Sequence, residues 1–271
     1  MSETVDLDAY FARIGYDGPR APTLQTLQAL HALHPSAIAF ENLDPLLRRP
    51  VRLDLASVQR KLIAHKRGGY CFEQNGFFAS VLTALGFKVA TLSARVIFGR
   101  MSGHTRRSHM LLKVEVEEGT YIADVGFGGQ APSAPLRLDS KEEQTTPHGA
   151  FRLARSGENF EVNAFADGEW KTLYRFSLEE QSPEDHEMAN WYISTHPDSE
   201  FTARLLAARL PPGRRLGLFN NQFSVRHADG MVERRELGSA EELARVLETE
   251  FLIALPEPRE ELLKVLARMI G

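Results

Sequence analysis

The 271-residue chain contains one cysteine, and its surroundings are those of a nucleophile. Cys71 sits in the run Arg67-Gly68-Gly69-Tyr70-Cys71-Phe72-Glu73-Gln74-Asn75. Two glycines give a side-chain-free approach. Beyond the thiol, Phe72, Gly76, Phe77, Phe78, Val81, Leu82 and Leu85 recur at helical spacing, with Gly86 as a natural stop. The thiol therefore falls at a helix N-terminus, where unpaired N–H groups and the positive end of the helix dipole stabilise a thiolate, with Arg67 close in sequence. A lone cysteine is more often a small buried hydrophobe. The Gly-Gly turn, the basic neighbour and the helix start favour reactivity here. One cysteine builds neither an internal disulfide nor a thiolate metal site, so no metal is expected.

A thiol nucleophile needs a base and something to orient it. Residues 108–125 read as a hairpin. Its first strand places Met110, Leu112, Val114 and Val116 on one face and His109, Leu111, Lys113 and Glu115 on the other. The second strand alternates Tyr121, Ala123 and Val125 against Thr120, Ile122 and Asp124. A two-residue turn at Glu117-Glu118 pairs Val116 with Gly119 and Leu111 with Asp124, and gathers the apolar sets on one face. His109 and Asp124 then become diagonal neighbours, with backbones about 7–8 Å apart. A three-residue loop, or a bulge, would separate them. Each residue alone is more often structural. Together they form the arrangement in which a carboxylate fixes the tautomer of a neutral imidazole that activates a thiol. Asp124 runs into Val125-Gly126-Phe127-Gly128-Gly129, whose glycines let a ligand approach the backbone and whose N–H groups could face an anion. The spacing matches neither a P-loop nor a dinucleotide fingerprint, and a plain glycine-rich strand exit is the commoner explanation.

The elements that must position these groups fall into three parts, 1–87, 88–182 and 183–271. The first reads as helical. Segment 6–14 is amphipathic; Thr23 caps a helix through Leu24, Leu27, Leu30 and Leu33 that Pro35 should end; Phe40-Glu41-Asn42 precedes a Pro-bounded loop; and 55–64 is a further helix leading to the cysteine turn. After Gly86 the period changes from 3.6 to 2. Strands are expected at 88–98, after a polar loop over 99–108, and at 149–154, 160–164 and 170–176, as an antiparallel sheet or barrel. The last part is mixed: a helix over 184–193, extended segments 216–225 and 232–237 about the turn His227-Ala228-Asp229-Gly230, a helix capped by Ser239 with Glu242, and a final helix over 259–269.

Composition bounds the function. Hydrophobic residues make up 43% and charged residues 25%, as in an ordered globular protein, and the net charge of −4 argues against nucleic acid as the partner. No apolar run approaches the roughly 20 residues of a membrane span. The start, Met1-Ser2-Glu3-Thr4-Val5-Asp6, lacks the features of a signal peptide, and with the free thiol this leads us to expect a cytoplasmic protein. Nothing in the sequence marks the oligomeric state.

The cysteine run, Ser108-His109-Met110 and Asp124-Val125-Gly126-Phe127-Gly128 resemble the three signature segments of the arylamine N-acetyltransferases. Phe40-Glu41-Asn42 agrees as well, and Trp191-Tyr192-Ile193-Ser194-Thr195 more loosely, so the likeness spans about the first two hundred residues in order. The resemblance implies an α+β fold: an N-terminal helical bundle, an antiparallel β-barrel and a C-terminal α/β lid, with a cysteine-protease-like Cys-His-Asp triad of Cys71, His109 and Asp124. It implies acetyl-coenzyme A as co-substrate with no tightly bound cofactor, and ping-pong transfer through an acetyl-cysteine to arylamines, arylhydrazines and arylhydroxylamines, a role in xenobiotic metabolism. The substrate and coenzyme site would include Phe40, Arg67, Tyr70, Gly126, Phe127 and Gly128. Nothing resembles the interdomain insertion of the vertebrate enzymes, so a bacterial type with an open cleft is expected. A related amide synthase and a cysteine hydrolase of the papain or transglutaminase type would use the same triad. A binding protein that kept it for structural reasons would differ in having an inert thiol.

Overall fold

The computed structural model describes residues 4–99 and 106–270. Helix α1 (Leu7–Ile14) is capped by the Asp6 carboxylate, which accepts the Ala9 N–H, and ends at Gly15 in the left-handed conformation. Helix α2 (Leu24–Ala37) is capped by Thr23 as expected, but it runs through Pro35 to Ala37. A proline there forfeits only one hydrogen bond, to His31, in the last turn, where little helix remains to be broken. The segment Phe40-Glu41 is strand β1 (Phe40–Glu41), and the Pro-bounded stretch after it contains a short helix, α3 (Leu43–Leu46). The helix expected over 55–64 is regular only in α4 (Leu55–Gln59). It then widens into a π-turn at Arg60–Ala64, closed by the His65 N–H on the Arg60 carbonyl. Helix α5 (Cys71–Ala84) begins at the cysteine, and its Phe72, Phe77, Phe78, Val81 and Leu82 side chains are buried.

Strands β2 (Lys88–Val96), β3 (Arg107–Val116), β4 (Gly119–Ala123), β5 (Leu136–Arg137), β6 (Gln144–Thr146), β7 (Gly149–Ser156), β8 (Asn159–Ala166) and β9 (Glu169–Glu180) form one antiparallel sheet in the order β5-β4-β3-β2-β9-β8-β7-β6. Its edges approach each other through Gln144, which accepts the Arg137 N–H at 2.7 Å and donates to the Arg137 carbonyl at 3.1 Å, so the sheet is a nearly closed barrel. Strands β5 and β6, two and three residues long, carry too little alternation to be read from sequence. Of the polar loop expected over 99–108, residues 100–105 lie outside the described residues, while Arg107 and Ser108 already belong to β3.

Helix α6 (Pro183–Thr195) leads to β10 (Leu206–Arg209), β11 (Arg214–Phe219), β12 (Gln222–His227) and β13 (Val232–Glu236), followed by α7 (Ala240–Thr249) and α8 (Arg259–Ala267). The extended stretch 216–225 is two strands rather than one. It folds back at Asn220-Asn221, where Asn220 takes a positive φ of 50°, a conformation asparagine tolerates. These strands and β1 form a second sheet, β1-β10-β11-β12-β13. Ser239 accepts the Glu242 N–H, but the Glu242 carboxylate reaches back to Gly238 rather than to Ser239.

Among the described residues, three apolar clusters form the interior. One joins α1, α2 and α5 to Met110, Leu112 and Val114 of β3; a second fills the barrel with Leu111, Ile122, Phe151 and Tyr174; the third packs α7 and α8 on the second sheet together with Leu43, Leu46 and Leu47. Strand β3 is thus buried on both sides. Its helix-facing residues anchor α5, and its barrel-facing residues begin with His109.

Candidate active site

The hairpin has the register expected from a two-residue turn. Val116 pairs with Gly119 and Leu112 with Ala123, so Asp124 lies one step past the ladder on the barrel side, the side of Leu111 and Ile122. His109 Nε2 lies 2.7 Å from Asp124 Oδ2. The carboxylate only accepts, so the Nε2–H donates and Nδ1 is left for the thiol. Cys71, at the first position of α5, directs its Sγ–H at the Ser108 carbonyl oxygen, 3.8 Å away, and shares the cleft wall with His109, the next residue on β3. The structure therefore brings Cys71 beside a hydrogen-bonded His109–Asp124 pair.

Asn75 ties this line together. One turn after Cys71 on the same helix face, its Nδ2 donates to Asp124 Oδ1 at 2.9 Å and to the Met110 carbonyl at 2.7 Å, and its Oδ1 accepts the Val125 N–H at 2.9 Å. One side chain thereby joins the cysteine helix, the histidine strand and the aspartate turn. The i, i+4 spacing from Cys71 was the signal available for it in the sequence. Gly126 passes so close to the helix that an added Cβ would sit 2.8 Å from Cys71 Cα and 2.8 Å from Asn75 Nδ2. Its N–H donates to Asp124 Oδ1 at 3.0 Å. That donor is spent inside the protein, so Gly126 does not offer its N–H to an anion.

The electrostatics favour an ion pair. Burial alone would disfavour a charged His109, but the Asp124 carboxylate and the thiol outweigh it and push its pKa up to about 10. Burial would likewise raise the Asp124 pKa, yet the His109 charge and the bonds from His109, Asn75 and Gly126 hold it below the usual carboxylate range. The Asp124 carboxylate therefore favours the imidazolium form of His109. The rings of Phe127 and Tyr174 enclose His109 at 5.0 and 4.9 Å. The Tyr174 hydroxyl is buried beside the Asp124 carboxylate without hydrogen-bond geometry to it.

Arg67 has a different place from the one expected. Its guanidinium is buried and bonded to Glu41 at 2.8 and 3.0 Å and to Asp44 at 3.1 Å, while Lys61 bridges Asp44 and Glu73 at 2.6 Å each. Burial opposes the charge on Arg67, but these carboxylates more than compensate, so its cation is neutralised beneath the turn and does not serve the thiol. Tyr70 is also fully buried. Its hydroxyl donates to Asn190 Oδ1 of α6 and its ring packs on Phe201 at 5.2 Å. Both residues support the cysteine turn from behind and neither lines the cleft.

Phe40, Gly126, Phe127 and Gly128 do line it. The cleft, a cavity of about 740 Å³, opens from Cys71 and His109 past Phe127 and Phe201 towards β11 and β12. Its far wall is the open face of the second sheet, where Arg215 pairs in register with Arg226 and Ser224 with Arg234. Arg215 is buried and donates to the carbonyls of Gly129, Ala131 and His148 at 2.8–3.2 Å. Burial lowers its pKa to about 10, which still leaves it charged. The sequence reading missed this face because it depends on the turn at Asn220-Asn221.

Known proteins share both the sequence pattern and the fold. A family model described as N-acetyltransferase matches residues 23–259. The arylamine N-acetyltransferase of Escherichia coli K12 is 42% identical over 254 residues, covering 93% of this chain and 90% of that protein. The arylamine N-acetyltransferase / N-hydroxyarylamine O-acetyltransferase of Salmonella typhimurium LT2 is 41% identical, covering 90% and 88%. The structure of Mycobacterium marinum arylamine N-acetyltransferase in complex with CoA superimposes with a TM-score of 0.95 at 35% identity, over 98% of this chain and 100% of that one. With such agreement along almost the whole length in both sequence and fold, the chain belongs to the arylamine N-acetyltransferase family.

Proposed function

We propose that the protein transfers an acetyl group from acetyl-coenzyme A to the nitrogen or oxygen of arylamines, arylhydrazines and arylhydroxylamines by a ping-pong route through acetyl-Cys71. The observation that carries this is the buried His109–Asp124 pair beside Cys71 at the wall of an open cleft. Asp124 stays anionic and holds His109 as the imidazolium, which stabilises a Cys71 thiolate. The thiolate attacks the thioester carbonyl, and the tetrahedral intermediate collapses with loss of the coenzyme A thiolate, which takes the proton from His109. The acceptor amine then attacks acetyl-Cys71. His109, now neutral, removes the amine proton, and the thiolate leaves with the imidazolium restored.

In the same proposal, residues 1–87 supply the nucleophile, 88–182 supply His109 and Asp124, and 183–271 form a lid over the donor. Aromatic walls at Phe40, Phe127 and Phe201 suit the acceptor ring, and the Arg215, Arg226 and Arg234 face suits the phosphates of the donor. Initial rates measured with acetyl-coenzyme A against an arylhydrazine should give parallel double-reciprocal lines, because no complex holds both substrates. Intersecting lines would mean direct transfer and would remove Cys71 from the covalent role.

A further inference from the structure

Asp124 is held by more than its carboxylate. Its backbone N–H lies past the last ladder pair, Leu112 with Ala123, and so has no strand partner. It donates instead to Nε2 of His31, 3.0 Å away and 93 residues earlier on α2. A ring nitrogen that accepts an N–H must carry a lone pair, so His31 is the neutral tautomer with its proton on Nδ1. Full burial, which draws its pKa down to about 4, accords with that state. Nδ1 has no hydrogen-bond partner among the described residues, and the ring meets Phe78 edge-on at 6.1 Å. An apolar side chain would fill this space without stranding a polar nitrogen. What only a hydrogen-bonding side chain supplies at this point is an acceptor for the N–H of Asp124.

Taking Cys71, His109 and Asp124 as the catalytic triad, we infer that His31 is a positioning residue whose Nε2 fixes the Asp124 backbone and thereby aims its carboxylate at His109. With this bond every polar group that Asp124 turns towards the site has a fixed partner: the N–H on His31, Oδ1 under Asn75 and Gly126, and Oδ2 on His109. One turn further along α2, His34 braces the other arm. Its Nε2 lies 2.6 Å from Gln74 Oε1, and Gln74 Nε2 donates to the carbonyls of Ala39 and Gly69, beside the turn into Cys71. Helix α2 thus reaches both sides of the site through two buried imidazoles.

Two measurements test the inference. In wild-type protein with ¹⁵N-labelled histidine, His31 should show a protonated Nδ1 and a hydrogen-bonded, unprotonated Nε2. An imidazolium or a protonated Nε2 would overturn it, and no variant need fold for this outcome to count. His31→Leu should lower kcat by about ten- to a hundredfold with KM for acetyl-coenzyme A little changed, and should shift the downfield Nε2–H proton of His109. His31→Gln, which offers an amide oxygen, should recover most of the rate. A His31→Leu protein with native kcat and an unshifted His109 proton would reduce His31 to packing. Cys71→Ser, assayed in parallel, separates the two claims. If it still transfers acetyl groups, the triad is wrong; if it is dead while His31→Leu is native, only the positioning role falls.

Discussion

Replacing Asp124 with asparagine changes one atom type, and the surrounding bonds decide its effect. The carboxylate receives two donors on Oδ1, from Asn75 Nδ2 and Gly126 N, and one on Oδ2, from His109 Nε2. An amide offers one oxygen and one NH₂. With the NH₂ at the Oδ1 position, two buried donors would face it unsatisfied, at about 1–3 kcal/mol each. With the NH₂ towards His109 only one bond must be remade, and the imidazole can oblige by moving its proton to Nδ1. The second arrangement should win. It leaves His109 neutral with its one proton already on Nδ1, so the ring can neither take the thiol proton nor form the imidazolium that pairs with a thiolate. It also removes the charge that raises the His109 pKa. Loss of properly placed acid–base function is typically worth 10²–10⁴ in rate, and a wrong-tautomer triad lies at the upper end. Asp124→Asn should therefore fold, retain its circular dichroism, and lose about 10³–10⁴ in kcat/KM, or roughly 4–5 kcal/mol of transition-state stabilisation. Coenzyme A release followed with a thiol reagent that spares the enzyme measures this. A folded variant within tenfold of wild type would refute the tautomer argument and leave Asp124 a structural role.

Two further predictions concern stability. His31 and His34 are both drawn by burial to about 4 from an ordinary 6.5; His31 faces Asp124, and His34 faces Tyr10, Gln74, His31 and Arg13. A depressed folded-state pKa means that the unfolded chain takes up protons first, so stability should fall as pH drops from 6.5 towards 4, by up to roughly 3 kcal/mol per residue. His148 and His186, also lowered by burial, act in the same direction. Urea midpoints between pH 7 and 5 check this, and a flat profile there would contradict it. Arg67→Ala leaves Glu41 and Asp44 without their shared cation and should cost about 3–5 kcal/mol in stability, while the iodoacetamide rate at Cys71 in the still-folded variant stays near wild type. A stable variant with a slowed thiol would restore Arg67 to the site.

Much of the site was legible because β-structure alternates with a period of two. Once the turn at Glu117-Glu118 was placed, the faces of His109 and Asp124 followed, and the observed pairing of Val116 with Gly119 is the pairing that turn requires. The helix after Cys71 was legible for the same reason at period 3.6. Arg67 was misplaced because its partners, Glu41 and Asp44, lie 26 and 23 residues away and reach it only through tertiary packing. The arginine face was hidden by a two-residue turn of asparagines inside an apolar stretch: with Leu216 to Val225 read as one extended run, Arg215 and Arg226 had no reason to meet. His31 shows a subtler limit. Its place on the buried face of α2 with Leu27 and Leu30 marks it as internal, but helical period says nothing of a backbone N–H on a distant turn.

The central claim is that Cys71 carries the acetyl group, and intact mass spectrometry after mixing the protein with acetyl-coenzyme A alone tests it most directly. The account predicts a burst of about one equivalent of free coenzyme A per chain and a mass increase of one acetyl group. That increase should map to Cys71, be absent in Cys71→Ser, and disappear when an arylamine is added. Unmodified protein that nevertheless acetylates arylamines in the presence of both substrates would contradict it.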